Sequence, residues 1–86
     1  MGKNHRIRLS ALTKTELNKI FEEANFTVDQ EKIFRAMNAD THYDFAVMSD
    51  LGLSPRKYYE LKSIVVEKCV RISIQLGLYD AIKLKE

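Results

Sequence analysis

The sequence has few of the residues from which disulfides and structural metal sites are built. It contains a single cysteine, Cys69, which excludes an internal disulfide and leads us to expect a reducing, cytoplasmic location. The two histidines, His5 and His42, have no cysteine or histidine at ligand spacing. We therefore expect no structural zinc and no cofactor.

The chain also lacks the residue combinations that enzymes use. There is no glycine-rich phosphate loop, and no nucleophile is paired with a base in the sequence. Ser54 is better explained as a helix cap than as an attacking group. Cys69 falls on an apolar helical stripe, where a cysteine usually packs in the core. We therefore expect no enzymatic activity.

Long apolar runs and strand-like alternation are absent too. No apolar run approaches the roughly 18 residues that a membrane-spanning helix needs, so we expect no membrane partner. Residues 1–9 are basic and lack the apolar core of a signal peptide. No segment alternates with period two for long enough to form a strand. A chain of 86 residues is long enough for one small core.

Helix starts are marked repeatedly along the chain. Threonine followed three residues later by Glu, Gln or Asp predicts capped starts at Thr13, Thr27 and Thr41. Asn25 is a suitable stop for the first helix, and the second should end near Asn38. The sequence therefore predicts an all-α fold, with a basic flexible arm over residues 1–12 and one helical domain over 13–86.

The stretch from Asp44 to Ser63 has the pattern of a helix-turn-helix. Gly52 can end one helix in the left-handed conformation, and Ser54 can cap the next, with Pro55 in its first position. The second helix of such a unit usually enters the major groove of DNA. That helix should run to Leu76, so we expect a small four-helix domain with a long final helix and room for a short fifth helix at the C-terminal end.

The distribution of charge suits a DNA-binding protein. Residues 40–53 carry three aspartates and no Lys or Arg, whereas residues 54–76 carry five cations and two glutamates, a balance of +3. Three further cations, Lys3, Arg6 and Arg8, lie in the N-terminal arm and could contact phosphate or the minor groove. An ordinary solvated helix face would also account for charges this sparse.

The second half of the long helix is apolar over most of its surface. The main apolar stripe of this helix consists of Tyr58, Leu61, Val65, Cys69, Ile72 and Leu76. Beside it, Val66, Val70 and Ile74 form a second stripe that should not remain in water. Either a homodimer through this face or coverage by the Leu78–Leu84 tail would bury it, and we favour the dimer.

From Phe26 to Ser54 the chain resembles the fourth region of bacterial sigma factors and related phage regulators. The residues that carry the resemblance are Phe26 and Thr27, Ile33 and Phe34, Ala36 and Met37, Val47, and the run from Leu51 to Ser54. The continuation, Ser54 followed by Tyr58, Tyr59 and Lys62, is similar to the corresponding helix of ArpU-type phage transcription regulators.

This resemblance implies a transcription regulator that binds double-stranded DNA at promoters, alone or with RNA polymerase. The implied DNA-binding residues of the recognition helix are Ser54, Pro55, Arg56, Lys57, Tyr59, Glu60, Lys62 and Ser63. Arg56 and Lys57 could reach guanine or phosphate, and Glu60 could accept from a cytosine amine. The competing hypothesis is a protein-interaction module that uses the apolar half of the last helix and does not bind DNA.

Overall fold

The computed structural model describes residues 7–38 and 44–83, and within these ranges the fold is all-α, as predicted. Five α-helices follow a 3-10 turn at Leu9–Ala11: α1 (Lys14–Ala24), α2 (Val28–Met37), α3 (Asp44–Leu51), α4 (Pro55–Leu76) and α5 (Tyr79–Ile82). The four longer helices and the short fifth one match the expected architecture. In the described ranges no strand forms, although Ile7 and Lys83 make an isolated antiparallel bridge.

Capping boxes open α1 and α2, as the sequence predicts. Thr13 accepts from the backbone N–H of Glu16 at 3.1 Å and donates its own N–H to the Glu16 carboxylate at 2.8 Å. Thr27 and Gln30 repeat the arrangement at 3.4 and 3.2 Å. Each box satisfies two backbone donors that the first turn would otherwise leave without a partner. The third predicted start, Thr41, lies outside the described residues.

Residues in the left-handed conformation end three of the helices. Asn25 (φ 56°) ends α1, Gly52 (φ 66°) follows α3, and Gly77 (φ 76°) ends α4. After α3, the N–H of Gly52 donates to Ser49 and that of Leu53 to Met48, the two bonds of a Schellman motif. The predicted stops at Asn25 and Gly52, and the predicted end of the long helix at Leu76, are therefore confirmed.

The core is assembled around α4, which packs against α1, α2 and α5. Its buried stripe consists of Tyr58, Val65, Cys69, Ile72 and Ser73. The other helices contribute Ile20, Ala24, Ile33, Phe34 and Ile82 to the same cluster. By contrast, α3 packs mainly against α2 and contains no buried residue, because Val47, Met48 and Leu51 are only half-buried.

Residues 7–12 of the predicted flexible arm (residues 1–12) belong to the folded domain. Leu9 and Leu12 are buried in the core, with 1% and 7% of their surface exposed, and the backbone N–H of Arg8 donates to Ile82 at 2.7 Å. The prediction is therefore wrong for residues 7–12, because these two leucines pack with the tail instead of staying in water. Lys3 and Arg6 of the predicted arm lie outside the described residues.

Candidate nucleic-acid interface

The tight turn between α3 and α4 leads directly into an exposed helix N-terminus. Ser54 caps α4 by accepting from the backbone N–H of Lys57 at 3.3 Å, and Pro55 occupies the first helical position. Proline suits this position because its φ is already helical and its missing N–H would have had no helical partner. The local sequence therefore sets both the start of α4 and the direction in which its first turn points.

Seven of the eight predicted recognition-helix residues are exposed at the start of α4. This N-terminal face of α4 consists of Ser54, Pro55, Arg56, Lys57, Tyr59, Glu60 and Ser63. The Arg56 side chain is 91% exposed, and its Nε lies 4.0 Å from the Glu60 carboxylate one turn later. An exposed pair of this kind contributes little to stability, so it leaves the guanidinium available to a ligand.

Lys62, the eighth predicted residue, has a different environment. Its ammonium donates to the carboxylate of Asp44 at 2.8 Å, and only 24% of its side chain is exposed. An ion pair that is partly sheltered from water is screened less than a surface pair. Lys62 is therefore paired with Asp44 of α3 and is less exposed than Arg56 and Lys57.

Two consecutive tyrosines lie beside this ion pair. Tyr58 is fully buried and donates its hydroxyl to Asp44 at 2.6 Å. Burial, and then the hydrogen bond and negative charge of Asp44, raise the pKa of the Tyr58 phenol well above its usual range. Tyr59 packs edge-on against Tyr58 with ring centroids 5.0 Å apart, and it keeps 49% of its surface exposed. Tyr58 is thus a core residue, whereas Tyr59 can also contact a ligand.

The contacts of Asp44 with α4 were not predicted, although the sequence contains a signal for them. Asp44 stands three, four and seven residues before Val47, Met48 and Leu51, so it lies on the apolar stripe of α3. An acid on such a stripe requires a partner, because burying a charge without one is costly. Phe45 lies off the stripe and is 80% exposed.

Arg8 does not join the N-terminal face of α4. Its side chain is exposed, but its backbone is bonded to α5, the helix that follows the C-terminal end of α4. The predicted set of DNA-binding residues therefore contains one cluster on α4, one cation beside α5, and two residues, Lys3 and Arg6, outside the described part of the chain.

The tail covers part of the apolar half of α4. Ile82 is fully buried, and Leu78 and Tyr79 pack against the core as half-buried residues. On the second stripe, Val66 and Val70 are half-buried, whereas Ile74 remains 60% exposed. Within the described part of one chain, Ile74 is therefore the residue of this stripe that remains largely in water.

Comparison with known proteins finds no relative of this chain. No family model, no curated protein and no solved structure matches the chain.

The single cysteine, Cys69, is buried in the core. Burial raises the pKa of the Cys69 thiol to about 12, so the side chain stays protonated and is a poor nucleophile. Among residues 7–38 and 44–83, no cluster of three or more His, Cys, Asp or Glu side chains could hold a metal ion. Within the same residues, every helix is too short or too polar to cross a bilayer.

Proposed function

We propose that the protein binds double-stranded DNA through the N-terminal face of α4 and acts as a helix-turn-helix transcription regulator. The observation that carries this proposal is the exposed first turn of α4, directly after a turn with a left-handed glycine. Arg56 and Lys57 are both exposed on that turn, and the Arg56 side chain is 91% exposed. A helix presented in this way fits the major groove, and its first residues reach base edges.

The chemistry of this face suits both phosphate and base contacts. Arg56 and Lys57 can neutralise phosphates or donate to guanine, and Glu60 can accept from a cytosine amine. The N-terminus of α4 carries a partial positive charge, which favours a phosphate near Ser54. Tyr59 presents a half-exposed ring beside the same face, where it can contact a thymine methyl or the DNA backbone.

The experiment is a titration of promoter fragments at several salt concentrations with Arg56→Ala and Lys57→Ala. Each phosphate contact contributes about 0.9 to the slope of log affinity against log salt, so each variant that removes one should bind more weakly and with a shallower slope. Their melting temperatures should stay near that of the parent protein, because surface substitutions usually change stability by less than about 0.5 kcal/mol.

Arg71→Ala is the matched control, because Arg71 is an exposed cation on the same helix. It lies 15 residues beyond Arg56, or about 22 Å along the helix axis. We expect this variant to bind DNA like the parent. If Arg56→Ala and Lys57→Ala also bind like the parent, the assigned face is wrong. Repeating the titration with RNA polymerase present tests the partner that the sigma-factor resemblance implies.

Exposed Ile74 favours a second interaction surface on the same helix. We infer that two copies of the chain associate through Val66, Val70 and Ile74, since burying an isoleucine side chain gains about 1.5–3 kcal/mol. A dimer would also suit paired half-sites on DNA. The alternative is that a different protein binds this surface. The chain would then be a protein-interaction module, and its affinity for that partner would depend little on salt.

Light scattering at tens of micromolar tests the dimer. The parent should have twice the mass of one chain, and Ile74→Asp should be monomeric yet folded, because Ile74 is largely exposed within one copy. Gln75→Asp is the control, since Gln75 is exposed on another side of the helix. A monomeric parent would contradict the proposal.

A further inference from the structure

Asp44 connects the first residue of α3 to the first two turns of α4. One carboxylate oxygen accepts from Tyr58 at 2.6 Å and from Lys62 at 2.8 Å, and the other accepts from Tyr59 at 3.4 Å. Hydrogen bonds to an ionised group are roughly twice as strong as those between neutral groups. The N-terminal end of α3 is therefore fastened to α4 by side chains.

At its other end, α3 is joined to α4 by the turn. The N–H of Leu53 donates to Met48 at 3.0 Å, which fixes the chain direction as it enters α4. Between these two attachments, α3 has no fully buried side chain. Its angle to α4 therefore depends on the turn at one end and on the Asp44 contacts at the other, in addition to the packing of its half-buried residues against α2 and the core.

Asp44 and Lys62 both lie within the apolar arcs of their helices. Lys62 stands four residues after buried Tyr58 and three before buried Val65, so its stem points toward the core side of α4. The side chain of Lys62 is 24% exposed and that of Asp44 is 31% exposed, whereas that of Arg56 is 91% exposed. A lysine in this position reaches a nearby carboxylate more readily than it reaches DNA lying along the exposed face.

We propose that Asp44 and Lys62 are positioning residues that hold α3 against α4 and thereby set the shape of the DNA-binding face. In this role, Lys62 makes no phosphate contact. The inference rests on the proposed function, because it assigns a role to these residues in DNA binding.

The test compares salt slopes of DNA binding for Lys62→Met, Asp44→Asn, the double variant and Lys57→Ala. Methionine keeps much of the lysine stem without its charge, and asparagine still offers Tyr58 an acceptor, so these variants should fold. Lys57→Ala should lower the slope by about 0.9. Lys62→Met should weaken binding several-fold with an unchanged slope, and the double variant should bind no worse than the weaker single variant.

Hydrogen exchange supplies a second measurement. In Asp44→Asn and Lys62→Met, the amides of α3 should exchange faster, while those of α1 and α2 stay as in the parent. A slope that falls by about 0.9 in Lys62→Met, additive losses in the double variant, or unchanged exchange in α3 would each overturn the inference. A parent that shows no salt-dependent DNA binding would instead remove the proposed function itself.

Discussion

Replacing Gly52 should destabilise the protein through the backbone alone. Gly52 has φ +66°, and a Cβ built at this position meets no atom within 4 Å. A new Cβ would therefore cause no collision, and the cost that it brings arises from forcing an L-residue into the left-handed conformation. That cost is about 1–2 kcal/mol for an ordinary residue. For a β-branched residue such as valine, we expect the upper part of a range of about 1–3 kcal/mol.

Thermal unfolding followed by circular dichroism measures this cost. In a domain of this size, each kcal/mol of lost stability lowers the Tm by about 4–8 °C. We expect Gly52→Val to have the largest effect, Gly52→Ala an intermediate one and Gly52→Asn the smallest, because asparagine tolerates the left-handed region. The chain already uses asparagine in this way at Asn25, with φ 56°.

The order of the three variants is the decisive result. If asparagine lowers the Tm as much as valine does, the loss of stability is not caused by the positive φ at this position, and the backbone explanation is wrong. If all three variants melt like the parent, Gly52 is not held in a left-handed turn, and the helix-turn-helix interpretation is lost with it.

Two further predictions concern the buried stripe of α4. Ser73 is fully buried, and its hydroxyl has no hydrogen-bond partner among the described residues. Ser73→Ala should therefore raise the free energy of unfolding, measured in urea, by about 1–2 kcal/mol. The control, Ser63→Ala at an exposed position, should gain only about 0.5 kcal/mol from helix propensity, and equal gains would contradict the prediction. Burial raises the pKa of Cys69 from 9.0 to about 12, so its contribution to stability should be complete below pH 9.0 and decrease as pH rises toward about 12. The decrease in urea stability should be smaller in Cys69→Ala, and identical pH profiles would contradict this.

Local signals in the sequence were sufficient to predict where α1, α2 and α4 begin and where α1, α3 and α4 end. The threonine caps, the left-handed glycines and Pro55 act within three or four residues, so their consequences can be deduced without knowing the tertiary fold. The burial of Leu9 could not be deduced in this way. It depends on α5, about 70 residues later in the chain, and the basic residues around Leu9 favoured interpretation as a solvated arm.

The charge pattern shows how a correct count can lead to an incomplete description of a surface. The sequence gives residues 54–76 a balance of +3 and residues 40–53 only negative charge. In the fold, Asp44 and Lys62 neutralise each other across α3 and α4, and Lys68 turns toward Gln30, donating to its side chain at 3.2 Å. The exposed cations at the start of α4 are therefore Arg56 and Lys57, and the proposed DNA contact depends on these two side chains and the helix N-terminus. A charged side chain within the apolar arc of a helix becomes partly buried on folding, and a buried charge is costly without a partner. Such a residue is therefore better interpreted as half of an ion pair within the chain than as a contact to a ligand.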